Sequence, residues 1–154
     1  MVTIYSIPSK PAAPDTAVCF GDDADVEATG TDIKWYSDPG RSNQVGTGSP
    51  YTTGETVVGS YTYYATQTVD GCESPDTAVD ITIHDIPAAP ASSDTTICFG
   101  ETTPDLEATG TNLEWFDDAG LTNLLGTGAT FATGVTAVGT YTYYVTQTEN
   151  NCQS

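Results

Sequence analysis

Tyr61-Thr62-Tyr63-Tyr64 returns eighty residues later as Tyr141-Thr142-Tyr143-Tyr144. Working outward, Trp35, Gly46-Thr47-Gly48 and Cys72 return as Trp115, Gly126-Thr127-Gly128 and Cys152, and Glu27-Ala28-Thr29-Gly30-Thr31 returns as Glu107-Ala108-Thr109-Gly110-Thr111. Cys19-Phe20-Gly21 recurs as Cys98-Phe99-Gly100 at an offset of 79, so one residue has been inserted between these blocks. Self-similarity at a fixed period marks a tandem architecture. Two copies of one domain account for the 154 residues.

Within the first copy, Val26 and Ala28 alternate with Glu27 and Thr29, Ile33 and Trp35 with Lys34 and Tyr36, and Val79, Ile81 and Ile83 with Asp80 and Thr82. A period of two denotes half-buried strands. Turn residues separate the runs, as in Asp38-Pro39-Gly40 and Asp70-Gly71. The pattern predicts strands near 16–20, 25–29, 33–37, 44–47, 51–57, 60–68 and 78–83, and no helix. About seven short antiparallel strands, with a Trp on the third and a cysteine pair spanning most of the domain, point to an all-β protein of two tandem immunoglobulin-like β-sandwich domains. Gly59-Ser60-Tyr61-Thr62-Tyr63 resembles the tyrosine corner at the start of strand F, and Tyr63 stands where antibody domains place their second cysteine. Trp35 is therefore expected to pack on Tyr63.

Domains this small have marginal cores, and cross-links commonly supply the shortfall. Cys19 with Cys72, and Cys98 with Cys152, would each close a loop of more than fifty residues, on the order of 4 kcal/mol in the chain-entropy model. Cys72 falls beyond strand F, so this bond is expected to staple loops and strand ends. Disulfides imply an oxidising, extracellular location, at a cell surface or secreted. Zinc fits poorly, because no two cysteines are close in sequence and His84 is the one histidine. A formal net charge of −18, with Lys10, Lys34 and Arg41 the only basic side chains, argues against nucleic acid or an anionic membrane as partner. No stretch of about 20 apolar residues occurs, so no membrane insertion is expected within this chain.

Cys19-Phe20-Gly21, Leu106-Glu107-Ala108, Trp35-Tyr36, Tyr63-Tyr64-Ala65-Thr66-Gln67 and Gly71-Cys72-Glu73-Ser74-Pro75 together resemble the Ig-like repeats of large Bacteroidota surface proteins exported by type IX secretion. The resemblance implies a spacer or adhesive role and specifies no ligand.

The second copy has no counterpart of the last strand near 78–83, whereas Val2-Thr3-Ile4 followed by Ile7-Pro8 matches Ile81-Thr82-Ile83 followed by Ile86-Pro87. The expected organisation is a surplus last strand or donor strand at 1–6, a first domain at 7–86, and a second domain at 87–154 lacking its own last strand. Two explanations fit. Either the chain is a window on a longer array, or Val2, Thr3 and Ile4 form an assembly strand that fills the open edge of a neighbouring copy, giving a head-to-tail homopolymer.

Other candidate sites are weaker. His84 lies at the junction, where the matching position near the N-terminus is Tyr5, so it reads as a linker residue and no catalytic group is expected. Asp22, Asp23 and Asp25 are candidate calcium ligands, and Asp117 with Asp118 forms a further acidic pair, but the second copy has Glu101-Thr102-Thr103 where the first has Asp22-Asp23-Ala24. Solvated acidic turns are the simpler reading, and no cofactor is expected. Tyr36, Tyr64, Phe116 and Tyr144 fall opposite the core-facing positions, where they would stack on a glycan or protein ligand or be covered by loops. Thr16, Thr77 and Thr95, each after an Asp, resemble O-glycosylation acceptors. The expected function is a structural repeat of an extracellular filament or surface stalk. A ligand-binding adhesin module and a non-catalytic spacer of a large secreted enzyme are the alternatives.

Overall fold

The computed structural model describes residues 1–154. The fold is all-β, and no helix is long and apolar enough to cross a membrane. The chain divides into two units, Met1–Asp85 and Ile86–Ser154.

Unit 1 contains β1 (Thr16–Cys19), β2 (Asp25–Val26), β3 (Lys34–Tyr36), β4 (Gln44–Thr47), β5 (Tyr51–Thr52), β6 (Gly59–Thr66), β7 (Thr68–Val69), β8 (Cys72–Glu73) and β9 (Thr77–His84). One sheet has the order β1-β9-β6-β3-β4, with β1 parallel to β9 and the remaining pairs antiparallel. The opposing layer pairs β2 with β5 and adds a bridge from Ala12 to Thr29. Alternation along β9 explains why the layers adhere. Val79, Ile81 and Ile83 are buried while Ala78 and Asp80 are exposed, and each such branched side chain contributes about 1.5–3 kcal/mol on burial. They meet Val26, Ala28, Ile33, Trp35, Tyr63 and Ala65 in one core.

Unit 2 contains β10 (Ala91–Ser92), β11 (Leu106–Thr109), β12 (Glu114–Phe116), β13 (Leu124–Thr127), β14 (Thr130–Phe131), β15 (Tyr144–Thr146), β16 (Thr148–Glu149) and β17 (Cys152–Gln153). Its sheets are β10-β11-β14 and β13-β12-β15, with β16 and β17 forming a hairpin. The core shrinks to Ala108, Leu113 and Trp115, with Leu106, Phe131, Tyr143 and Val145 packed against it. Nothing in unit 2 corresponds to β9.

Two strands are shorter than the alternation predicts. The run over 51–57 ends at Thr52, because Thr53 turns its hydroxyl to the Ala24 carbonyl (2.8 Å) and Gly54 takes a φ of 75°. The run over 25–29 ends at Val26, since the Ala28 amide donates to Ser49 Oγ (2.9 Å). Trp35 and Tyr63 share the core of unit 1, where Trp35 stacks on Tyr51 and Tyr51 in turn meets Tyr63 edge-on.

Candidate functional site

The sheet edge of unit 2 is where the two units differ most. In unit 1, β6 pairs with β9 from Gly59↔Ile83 to Ala65↔Thr77. In unit 2, β15 has β12 on one side and no strand on the other. The loss spreads to a second strand. In unit 1, β1 has β9 as its sheet partner, and the corresponding stretch of unit 2, Thr95 to Cys98, forms no strand. Phe99 and Val138 are 80% and 84% exposed, whereas Phe20 and Val58 in unit 1 are 50% and 45% exposed. An uncovered edge beside apolar side chains is a template for pairing. Val2 and Ile4, 90% and 91% exposed, belong to no strand, nor does Thr3.

At the end of each unit where β6 or β15 finishes, a hairpin folds back, and the alternation of the sequence did not reveal it. Thr68↔Glu73 and Val69↔Cys72 pair in unit 1, and Thr148↔Gln153 and Glu149↔Cys152 in unit 2. Asp70 and Gly71 turn the first at positive φ, as Asn150 and Asn151 turn the second. Glu73 returns from this hairpin to accept hydrogen bonds from Tyr36 Oη (2.8 Å), Thr66 Oγ1 (2.8 Å) and Lys34 Nζ (3.4 Å). Burial pushes its carboxyl up, but the bonds from Thr66 and Tyr36 and the charge of Lys34 outweigh this and hold it below the usual carboxylate range. Burial, then the bond to Glu73, push the Tyr36 phenol up. Gln67 anchors the same end, accepting from the Thr31 amide (3.1 Å) and donating to the Ser9 carbonyl (2.7 Å). Gln147 repeats both contacts, with Thr111 (3.0 Å) and Ala88 (2.6 Å). Recurrence of the Thr-Gln-Thr triplet in both copies was the available signal.

The tyrosine corner is formed in both units. Tyr61 Oη donates to the Val57 carbonyl (2.9 Å) and Tyr141 Oη to that of Ala137 (3.4 Å).

The four aromatics expected on an outer face do not make a platform. Tyr36 and Phe116 are buried, at 6% and 5% exposure, because the returning hairpin covers that face, and Tyr64 is half-buried. Tyr144 alone is exposed. The acidic candidates Asp22, Asp23 and Asp25 also do not converge. Asp22 and Asp23 are exposed in a turn while Asp25 lies on β2, and no group of three or more His, Cys, Asp or Glu side chains is placed to hold a metal ion. Of the three threonines, Thr77 donates to the Pro11 carbonyl (2.6 Å) from within β9, Thr16 lies half-buried on β1, and Thr95 is exposed and in no strand. His84 ends β9, where its carbonyl accepts from the Phe20 amide (2.8 Å).

Neither cysteine bond expected within a repeat is formed. Cys72 and Cys98 carry free thiols, while Cys19 and Cys152 are the disulfide-bonded cysteines. Cys19 lies level with His84 at the far end of β9, and Cys72 at the tip of the hairpin beyond the near end. That separation forbids the bond.

Paired sandwiches with a core Trp and a tyrosine corner define tandem Ig-like repeats. The family described as "Ig-like domain CHU_C associated" matches residues 8–84 and again 87–154. The chain belongs to that family, in line with the resemblance to Bacteroidota tandem repeats. Comparison with curated proteins gives no significant match.

Proposed function

We propose that this chain is a structural, non-catalytic repeat pair of an extracellular filament or surface stalk, joined head to tail by strand complementation. One observation carries the reading: β15 lacks the neighbour that β6 has in β9, and the core beside it is correspondingly reduced. A β-segment of the Val2-Thr3-Ile4 kind, which matches Ile81-Thr82-Ile83, supplies the alternating apolar residues that such an edge needs. The family and the disulfide favour an extracellular or surface location. Burial of Tyr36 and Phe116 counts against an adhesin reading through outer aromatics.

Sedimentation under reducing conditions tests the proposal. The chain is expected to associate as its concentration rises, and Ile4→Asp to remain monomeric. A wild-type chain that stays monomeric throughout would overturn it.

A further inference from the structure

The two cysteines of each repeat sit at opposite ends of its sandwich, and this decides which bonds they can make. Cys19 closes β1 in register with His84, the last residue of β9. Cys72 lies at the hairpin tip, beyond Thr77 at the start of β9. The eight residues of β9 span about 23 Å at ~3.3 Å per residue. A disulfide needs Cα atoms roughly 4.4–6.8 Å apart, so no rotamer change joins Cys19 to Cys72. In unit 2, where Thr95 to Cys98 form no strand, the same separation follows from the loops at the two ends of β15. Cys98 precedes the Phe99 to Thr103 stretch, which Thr103 Oγ1 ties to the Val135 carbonyl (2.8 Å) in the segment leading toward β15. Cys152 lies in the hairpin past the other end of β15. Of the disulfide-bonded cysteines, Cys19 is of the strand-end kind and Cys152 of the hairpin kind. The free thiols are again one of each, Cys98 exposed and Cys72 partly so.

We propose that the two free thiols link copies of this chain: the strand-end Cys98 of one copy pairs with the hairpin Cys72 of the next. The direction of the chain agrees. Gln67 and Gln147 hold Ser9 and Ala88 at the hairpin end of each repeat, and β9 ends at the strand end, so joining two copies head to tail brings unlike ends together. The inference rests on the head-to-tail order proposed above, and it does not require a shared strand. Bond formation converts two thiols to one disulfide. Two electrons and two protons pass to a low-molecular-weight or protein disulfide, which is reduced to two thiols.

The test incubates the purified chain with oxidised glutathione, then applies non-reducing electrophoresis and peptide mapping. A ladder of covalent multimers that collapses under dithiothreitol is expected, with Cys72 and Cys98 peptides joined. Cys72→Ser and Cys98→Ser should each lose every species above a dimer, because a chain with one free thiol cannot extend further. A peptide joining Cys19 to Cys72 or Cys98 to Cys152 would overturn the proposal, as would a wild-type chain that stays monomeric. Sedimentation of the reduced chain tests strand complementation separately, so the two readings fail by different measurements.

Discussion

Trp35 and Tyr51 stack with ring centroids 6.2 Å apart and planes inclined by 22°, while the indole Nε1 donates to the Gly48 carbonyl (2.8 Å). The stack depends on Gly46, because a Cβ there would lie 2.3 Å from the Tyr51 ring. In unit 2, Trp115 stacks on Phe131 at 5.7 Å, and a Cβ on Gly126 would stand 3.2 Å from that ring. Gly46→Ala is therefore expected to destabilise unit 1 by about 1–3 kcal/mol, the usual cost of overpacking. Gly126→Ala should cost unit 2 less. Each unit holds one of the two tryptophans, so urea denaturation followed by Trp35 fluorescence in a Trp115→Phe background, and the reverse, reads the units separately.

Glu73 gives unit 1 a dependence on acid that unit 2 lacks. A carboxyl held below its usual range contributes stability above its unfolded pKa of about 4.3 and loses it as pH falls through the folded value. Asp38 and Asp118 are lowered as well, by amides of residues 42 and 43 and of residues 122 and 123, so their contribution is common to both units. At the positions of Tyr36 and Glu73, unit 2 has Phe116 and Gln153. Below pH ~4 the Trp35 transition should therefore shift to lower temperature more steeply than the Trp115 transition, and Glu73→Gln should remove the difference. On the alkaline side the raised phenol of Tyr36 acts in the opposite sense. Its contribution is complete below pH ~10 and fades as pH rises through the folded value.

The two tyrosine corners differ in length, and their energies should follow. Tyr61→Phe removes a 2.9 Å bond and Tyr141→Phe a 3.4 Å one. The first is expected to cost about 0.5–1.5 kcal/mol, and the second a smaller amount. Equal losses in denaturation midpoint would count against the assignment.

Loss of a strand should make unit 2 the weaker half. Its core holds three buried apolar residues where that of unit 1 holds ten. Heating the reduced chain at low concentration should therefore report Trp115 unfolding before Trp35. An added peptide with the sequence of Thr77–His84 should raise the Trp115 transition and leave that of Trp35 unchanged. A rise in both would mean that the peptide does not act at the β15 edge.

Much of this is legible in the chain itself. Alternation at Val79, Ile81 and Ile83 located β9, because strands half-buried in a sandwich keep a period of two. Trp35, returning as Trp115, marked the core. Periodicity does not carry the return path of a hairpin, so Thr68 to Glu73 was read as strand and turn, and the cover it lays over Tyr36 went unseen. The cysteines misled for a related reason. Spacing along a chain measures loop length, whereas bonding depends on where strand ends fall, and Cys19 and Cys72 belong to opposite ends of one sheet.

The parallel pairing of β1 with β9, from Thr16↔Ile81 to Cys19↔His84, has a mechanical consequence. The polypeptide reaches β1 from one end of the sandwich and leaves β9 at the other, so tension on the ends of a chain with its disulfide reduced slides the two strands past each other. Every rung between them then resists at once, where an antiparallel pair pulled from its open end would unzip rung by rung. Single-molecule extension of the chain with its disulfide reduced should accordingly show a sharp rupture for unit 1 and gradual yielding for unit 2. The segment that completes the core is thus also the part that lets a repeat bear drag.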